Sequence, residues 1–121
     1  EVTILNTVDT KEEYLKRVQE GFVSVMKDGF GKGVMGIIPN PAGKTGTSET
    51  FIDTDKDGKI DTETTSNAFV GYAPSDNPKM TITVTSPDVE DVNTNINHRT
   101  YMNRIIARKI SNKFFEMFPD I

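Results

Sequence analysis

The alternation of apolar and polar positions divides the chain into short β-type runs and two helical stretches. Val2-Thr3-Ile4-Leu5-Asn6-Thr7-Val8 is short, apolar and rich in β-branched residues, and it predicts a strand. Asp9 and Thr10 follow with side chains suited to a helix N-terminus, and Thr10 with Glu13 matches a capping box. Leu15, Val18, Phe22 and Val25 or Met26 recur at three- and four-residue steps, which predicts one apolar helix face. Glu12, Glu13, Lys16, Arg17 and Glu20 occupy the opposite face. Asp28-Gly29, with Gly31 and Gly33 behind it, ends the helix near Lys27.

Val34-Met35-Gly36-Ile37-Ile38 suits a short strand or a packed loop, and Pro39-Asn40-Pro41 closes it. A strand is expected around Lys44, a second from Ser66 to Ala73, and a turn at Pro74-Ser75-Asp76-Asn77-Pro78. Met80-Thr81-Ile82-Thr83-Val84-Thr85 alternates with period two, so Met80, Ile82 and Val84 should face the core. Residues 87–97 read as a polar loop. From there to Phe118 the pattern is helical, with Met102, Ile106, Ile110, Phe114 and Met117 as the expected buried stripe, widened by Tyr101 and Ile105. Arg99, Arg104, Arg108, Lys109 and Lys113 fill the rest of that surface, and Pro119 stops it. The order β-α-β-β-β-α predicts an α+β fold, an antiparallel sheet flanked by helices.

Composition narrows the function. A length of 121 residues allows one domain or part of one. The net charge of −4 argues against a nucleic-acid partner, since phosphate binding needs a clustered basic surface. With no cysteine there is neither disulfide nor thiol chemistry. No apolar run reaches bilayer-spanning length and no signal peptide is visible. The chain opens on Glu1 without an initiator methionine and is expected to be a fragment or a processed product.

The chemistry concentrates at Ala42-Gly43-Lys44-Thr45-Gly46-Thr47-Ser48-Glu49. A lysine between glycines, followed by hydroxyl side chains, offers a fixed positive charge, donors and an open backbone edge. Lys44 is a point charge for a carboxylate. Thr45 and Thr47, two apart, share a strand face. Gly43 and Gly46 let another chain approach the backbone. Lys44-Thr45-Gly46 is the Lys-Thr-Gly element of penicillin-recognising serine enzymes. With Asn67-Ala68-Phe69-Val70-Gly71-Tyr72-Ala73-Pro74 and Asp76-Asn77-Pro78, the chain resembles the C-terminal part of a class B penicillin-binding D,D-transpeptidase.

The resemblance implies roles for this stretch. Lys44 would support catalysis through its charge, the hydroxyls of Thr45 and Thr47 would bind the substrate carboxylate, and Gly46 would leave room for the substrate. The Thr47 N–H would complete an oxyanion hole. Implied partners are the D-Ala-D-Ala stem peptide of peptidoglycan, β-lactams and the remainder of the transpeptidase domain, with no cofactor or metal. The implied location is the extracytoplasmic face of the cell membrane, with the anchor upstream. The family orders its motifs Ser-x-x-Lys, Ser-x-Asn, Lys-Thr-Gly. Ser24-Val25-Met26-Lys27 and Ser75-Asp76-Asn77 match the first two literally, but the first is only 20 residues ahead of Lys44 and the second follows it. Neither is expected to be catalytic, so the nucleophile would lie outside this chain and the segment alone would be inactive.

Other readings stay open. A serine β-lactamase or a β-lactam sensor uses the same strand. Asp53-Thr54-Asp55-Lys56-Asp57-Gly58-Lys59-Ile60-Asp61 reproduces most of a calcium loop, with carboxylates at positions 1, 3, 5 and 9 and glycine at 6. Thr64 takes the place of the bidentate glutamate at position 12, and the flanks are strands. A polar hairpin tip is therefore the expectation, with a calcium-dependent surface module as the alternative. His98, the one histidine, is expected to cap or face solvent at the start of the last helix.

Overall fold

A computed structural model describes residues 3–91, 96–97 and 99–121. The elements run α1 (Glu12–Lys27), β1 (Ala42–Ile52), β2 (Thr62–Ala73), β3 (Met80–Ser86), β4 (Glu90–Asp91), β5 (Ile96–Asn97) and α2 (Arg99–Met117). β1 and β2 form a long antiparallel hairpin, in register from Ala42 opposite Tyr72 to Ile52 opposite Thr62. β3 returns along the C-terminal half of β2, from Ala73 opposite Met80 to Asn67 opposite Ser86. β4 meets β2 at Thr64 and carries β5 beyond it. Since β1 covers one edge of β2, β3 and β4 share the other. Two helices against an antiparallel sheet make this the α+β fold that the pattern predicts.

Alternation decides which sheet face is covered. Met80, Ile82 and Val84 are buried while Thr81, Thr83 and Thr85 are exposed, and Phe69 and Ala73 of β2 join the buried set. Met26 of α1, Val34 and Met35 of the turn after it, and Ala107 of α2 complete the core, with Val25, Ile38, Phe114 and Phe115 at its rim. Residues 34–38 are thus a packed turn: Val34 and Met35 point inward, and Ile37 is fully solvent-exposed.

Several expectations are corrected, among them the loop expected at residues 87–97, which holds the short strands β4 and β5. Residues 3–11 contain no strand, and Ile4, Leu5 and Val8 are exposed. A strand is stable only when a neighbour satisfies its backbone groups, and this segment pairs with no described strand. α1 has Lys11 at its N-cap with no side-chain cap, so the Thr10–Glu13 box does not form. Of its apolar stripe only Met26 is buried, with Phe22 and Val25 half-buried; Leu15 and Val18 remain about half exposed.

A further correction concerns α2. Its sheet-facing residues are Asn103, Ala107 and Ser111, all buried and four apart. Met102, Ile105, Ile106, Ile110 and Met117 are exposed, and only Phe114 of the expected stripe packs on the core. The side chain of Tyr101 lies outside the described residues, as does His98. The reason is packing depth combined with polar satisfaction. Large side chains on β3 already fill the space above the sheet, so the helix approaches through its small residues. Asn103 accepts a hydrogen bond from the Ser86 hydroxyl and donates to the Val84 carbonyl at 3.4 Å. Arg104 and Arg108 then reach the carbonyls of Phe30 and Gly33, at 3.3 and 3.0 Å, tying α2 to the turn that follows α1.

The β1–β2 hairpin tip is organised by its carboxylates. Asp53 accepts from the backbone N–H groups of Asp57 and Gly58, and Asp55 also accepts from Asp57. Lys56 and Gly58 take left-handed backbone angles, with φ of 62° and 89°, the conformation a tight turn demands. Asp61 accepts from the hydroxyls of Thr62 and Thr54 and from the Thr54 N–H. Those bonds, led by that of Thr62, hold its carboxyl below the ordinary aspartate value.

Two predictions follow from this packing. A Cβ on Gly43 would lie 2.6 Å from the Val70 carbonyl oxygen, whereas one on Gly46 meets nothing closer than 3.7 Å. Gly43→Ala should therefore destabilise the protein by about 1–3 kcal/mol in urea unfolding, while Gly46→Ala leaves the midpoint within about 0.5 kcal/mol. The stabilisation from Asp61 is present above its unfolded value, about pH 3.9, and is lost as pH falls through its lowered folded value. Carboxyl NMR titration should show Asp61 titrating below the ordinary aspartate value, and Thr62→Val should move it upward.

Candidate functional site

The open edge of β1 is the candidate site. Among the described residues β1 pairs only with β2, so its outer backbone groups have no strand partner. An edge of this kind is a template for a further extended chain. The hairpin makes it rigid: eleven residues of β1 are held in continuous register by β2.

The side chains predicted for the site are placed by alternation. Thr45 lies opposite Phe69 and Thr47 opposite Asn67, so the two threonines share a face, as expected. Lys44 and Gly46 alternate to the other face, opposite Val70 and Ala68. Lys44 is exposed, and its ammonium folds back along the strand to donate to the Thr45 carbonyl at 2.7 Å. The charge is thereby brought alongside the threonines despite the alternation. Gly43 and Gly46 differ in use: the closeness at Gly43 is internal, against β2, and only Gly46 leaves open space.

Two partners of this edge were not apparent from sequence. The Thr47 hydroxyl donates to the Asn67 side-chain oxygen at 3.2 Å. Ser66 shares a 2.9 Å hydrogen bond with Thr50. Gly46, Thr47, Ser48, Ser66, Asn67, Ala68 and Thr85 surround a shallow open hollow of about 250 Å³. The Asn67 amide nitrogen is buried there without a hydrogen-bond partner among the described residues. A polar residue opposite Thr47 becomes visible only once hairpin register is known, because counting from the variable tip does not supply it.

The other candidates lie elsewhere. Ser24 is on the exposed side of α1, where its carbonyl accepts from Asp28 and Gly29. Ser75 accepts from the Asn40 amide at 2.6 Å, and its N–H donates to the Asn40 carbonyl at 2.8 Å. Both serines thus have structural contacts. Asp53, Asp55 and Asp61 bring carboxylate oxygens within 4.8 Å of one another. The hydrogen bonds of the tip already use all three, and Thr64, at the twelfth loop position, is a strand residue opposite Thr50. The tip is a polar turn joining the two strands of the hairpin, with these three carboxylates drawn together on it.

Residues 1–114 match the family described as the penicillin binding protein transpeptidase domain. The chain is 36% identical over 115 residues to penicillin-binding protein 2A of Bacillus subtilis, and 32% identical over 114 residues to penicillin-binding protein H of the same organism. Each match covers 94% of this chain but only 16% and 15% of the relatives. In structure it resembles penicillin-binding protein 2B of Streptococcus pneumoniae, with a TM-score of 0.68 and 27% identity over 98% of this chain and 18% of the other. The chain therefore spans about a sixth of the length of these relatives. By family match, sequence identity and shared fold, this chain belongs to the penicillin-binding protein transpeptidase family.

Proposed function

We propose that this chain is the Lys-Thr-Gly-bearing part of a class B serine D,D-transpeptidase. The whole enzyme would cross-link peptidoglycan stem peptides through an acyl-enzyme and be acylated by β-lactams. The observation that carries the reading is the unpartnered edge of β1 with Lys44, Thr45 and Thr47 along it. The stem peptide would lie along this edge as an added strand, its backbone groups meeting those of β1. The hydroxyls of Thr45 and Thr47 would donate to its terminal carboxylate. Lys44 would leave its bond to the Thr45 carbonyl and supply positive charge beside that carboxylate and the Ser-x-Asn hydroxyl.

The attacking serine would come from a part of the enzyme outside this chain. Its attack on the D-Ala-D-Ala carbonyl places negative charge on the carbonyl oxygen. The Thr47 backbone N–H would donate to that oxygen as half of the oxyanion hole, stabilising the transition state more than the ground state. The departing D-alanine leaves an acyl-enzyme, which an acceptor amine of a second stem peptide resolves. Such an enzyme would act on the extracytoplasmic face of the cell membrane, held there by a segment outside this chain. No helix among the described residues is long and apolar enough to cross a membrane.

Mass spectrometry after incubation with a labelled penicillin tests the proposal. The intact enzyme should gain one persistent adduct, and this chain alone should gain none. A β-lactamase would instead release the adduct within the assay. Thr47→Val in the intact enzyme should lower the acylation rate constant roughly 10- to 100-fold, the loss of one hydrogen bond to a charged group. Acylation of the isolated chain would make Ser24 or Ser75 a nucleophile and refute the assignment.

A further inference from the structure

The Thr47–Asn67 pair raises a problem of proton supply. A threonine hydroxyl has a single proton to donate and can also accept. In this structure that proton goes to the Asn67 side-chain oxygen at 3.2 Å. A carboxylate only accepts, so Thr47 must donate to it and cannot then donate to Asn67. Left unchanged, the Asn67 oxygen would face the Thr47 oxygen with no proton between them, two acceptors in contact.

The amide of Asn67 contains the remedy. Its nitrogen is buried with no hydrogen-bond partner among the described residues. Turning the amide over exchanges oxygen and nitrogen, groups of nearly equal size, and aims an N–H at the Thr47 oxygen. The hydroxyl then accepts from Asn67 and its own proton is free. In either orientation one amide atom lacks a partner: the nitrogen before the turn, the oxygen after it. Because each orientation leaves one amide atom unpaired, a bound anion can decide between them.

Resting on the carboxylate-binding role proposed for Thr47, we infer that Asn67 is a positioning residue whose amide reverses its hydrogen bond to Thr47 when an anionic substrate binds. The threonine proton is thereby directed outward to the substrate carboxylate. Asn67 itself touches neither the carboxylate nor the reacting carbonyl. Its contribution is confined to ligands that carry the carboxylate, and it depends on having a donor as well as an acceptor opposite Thr47.

The test measures acylation rate constants of the intact enzyme and its variants between pH 5 and pH 8. The ligands are benzylpenicillin and its methyl ester, which lacks the charge. Asn67→Asp offers only acceptors at neutral pH, and should acylate at least 10-fold more slowly than wild type with the free acid at pH 7.5. That deficit should shrink as the pH falls toward 5, because the protonated fraction that carries a donor grows, and should be absent with the ester. Asn67→Ala, which can neither donate nor accept, should narrow the preference for acid over ester at every pH. Each comparison sets one variant against itself, so a general folding loss cannot reproduce the pattern. An Asn67→Asp deficit that ignores both pH and the ester overturns the inference. So does wild-type behaviour of Asn67→Asp and Asn67→Ala while Thr47→Val is impaired. If Thr47→Val itself acylates normally, the carboxylate-binding proposal fails, and the inference with it.

Discussion

Pairing along both edges of β2 is the constraint on which the rest of the structure depends. Its twelve residues hold β1 on one side and β3 and β4 on the other. Phe69 from its middle is buried in the core, so the strand cannot slip by one residue without turning that ring to the opposite face. Gly71 reinforces the register, since a Cβ there would come within 2.6 Å of the Met35 sulfur. That close fit draws the turn after α1 onto the sheet. Through Arg104 and Arg108 the same turn is joined to α2. Edge strand, both helices and the connecting turn are therefore all referred to one strand.

The candidate site inherits its order from this arrangement. β1 presents its functional groups on an edge, where an extended ligand can reach backbone and side chains together. The hairpin holds the edge in register, and the polar tip beyond it closes on its own carboxylates. Lys44 and Thr47 are both occupied by internal hydrogen bonds, to the Thr45 carbonyl and the Asn67 amide. Ligand binding at this edge would exchange those partners for new ones, so that the Lys44 ammonium and the Thr47 hydroxyl stay satisfied in both states.

Much of this was legible in the residues, and the failures share a cause. The period-two pattern of Met80, Ile82 and Val84 identified β3 and its buried face, since a half-covered strand leaves that mark directly. The Lys44-Thr45-Gly46-Thr47 run and the Gly-Tyr-Ala-Pro turn identified the family, because each demands particular residues in a short stretch. Residues 3–8 have strand composition and no strand, since pairing is not a local property. α2 has a strong apolar stripe at Met102, Ile106 and Ile110, yet it packs through Asn103, Ala107 and Ser111. Apolar periodicity shows that a helix has a greasy face; it does not show which face a neighbouring sheet has room to accept.

The sequence by itself determined the α+β class, the helix positions, the buried face of β3 and the resemblance carried by the residues around Lys44. These follow from side-chain period, turn chemistry and short motifs, all of which act over a few residues. Tertiary structure alone decided the hairpin register that sets Asn67 against Thr47. It also decided the turning of α2 onto its small residues, and the division of labour between Gly43 and Gly46. Each of these depends on how closely two distant segments can approach, and the shape of that contact exists only once both are in place.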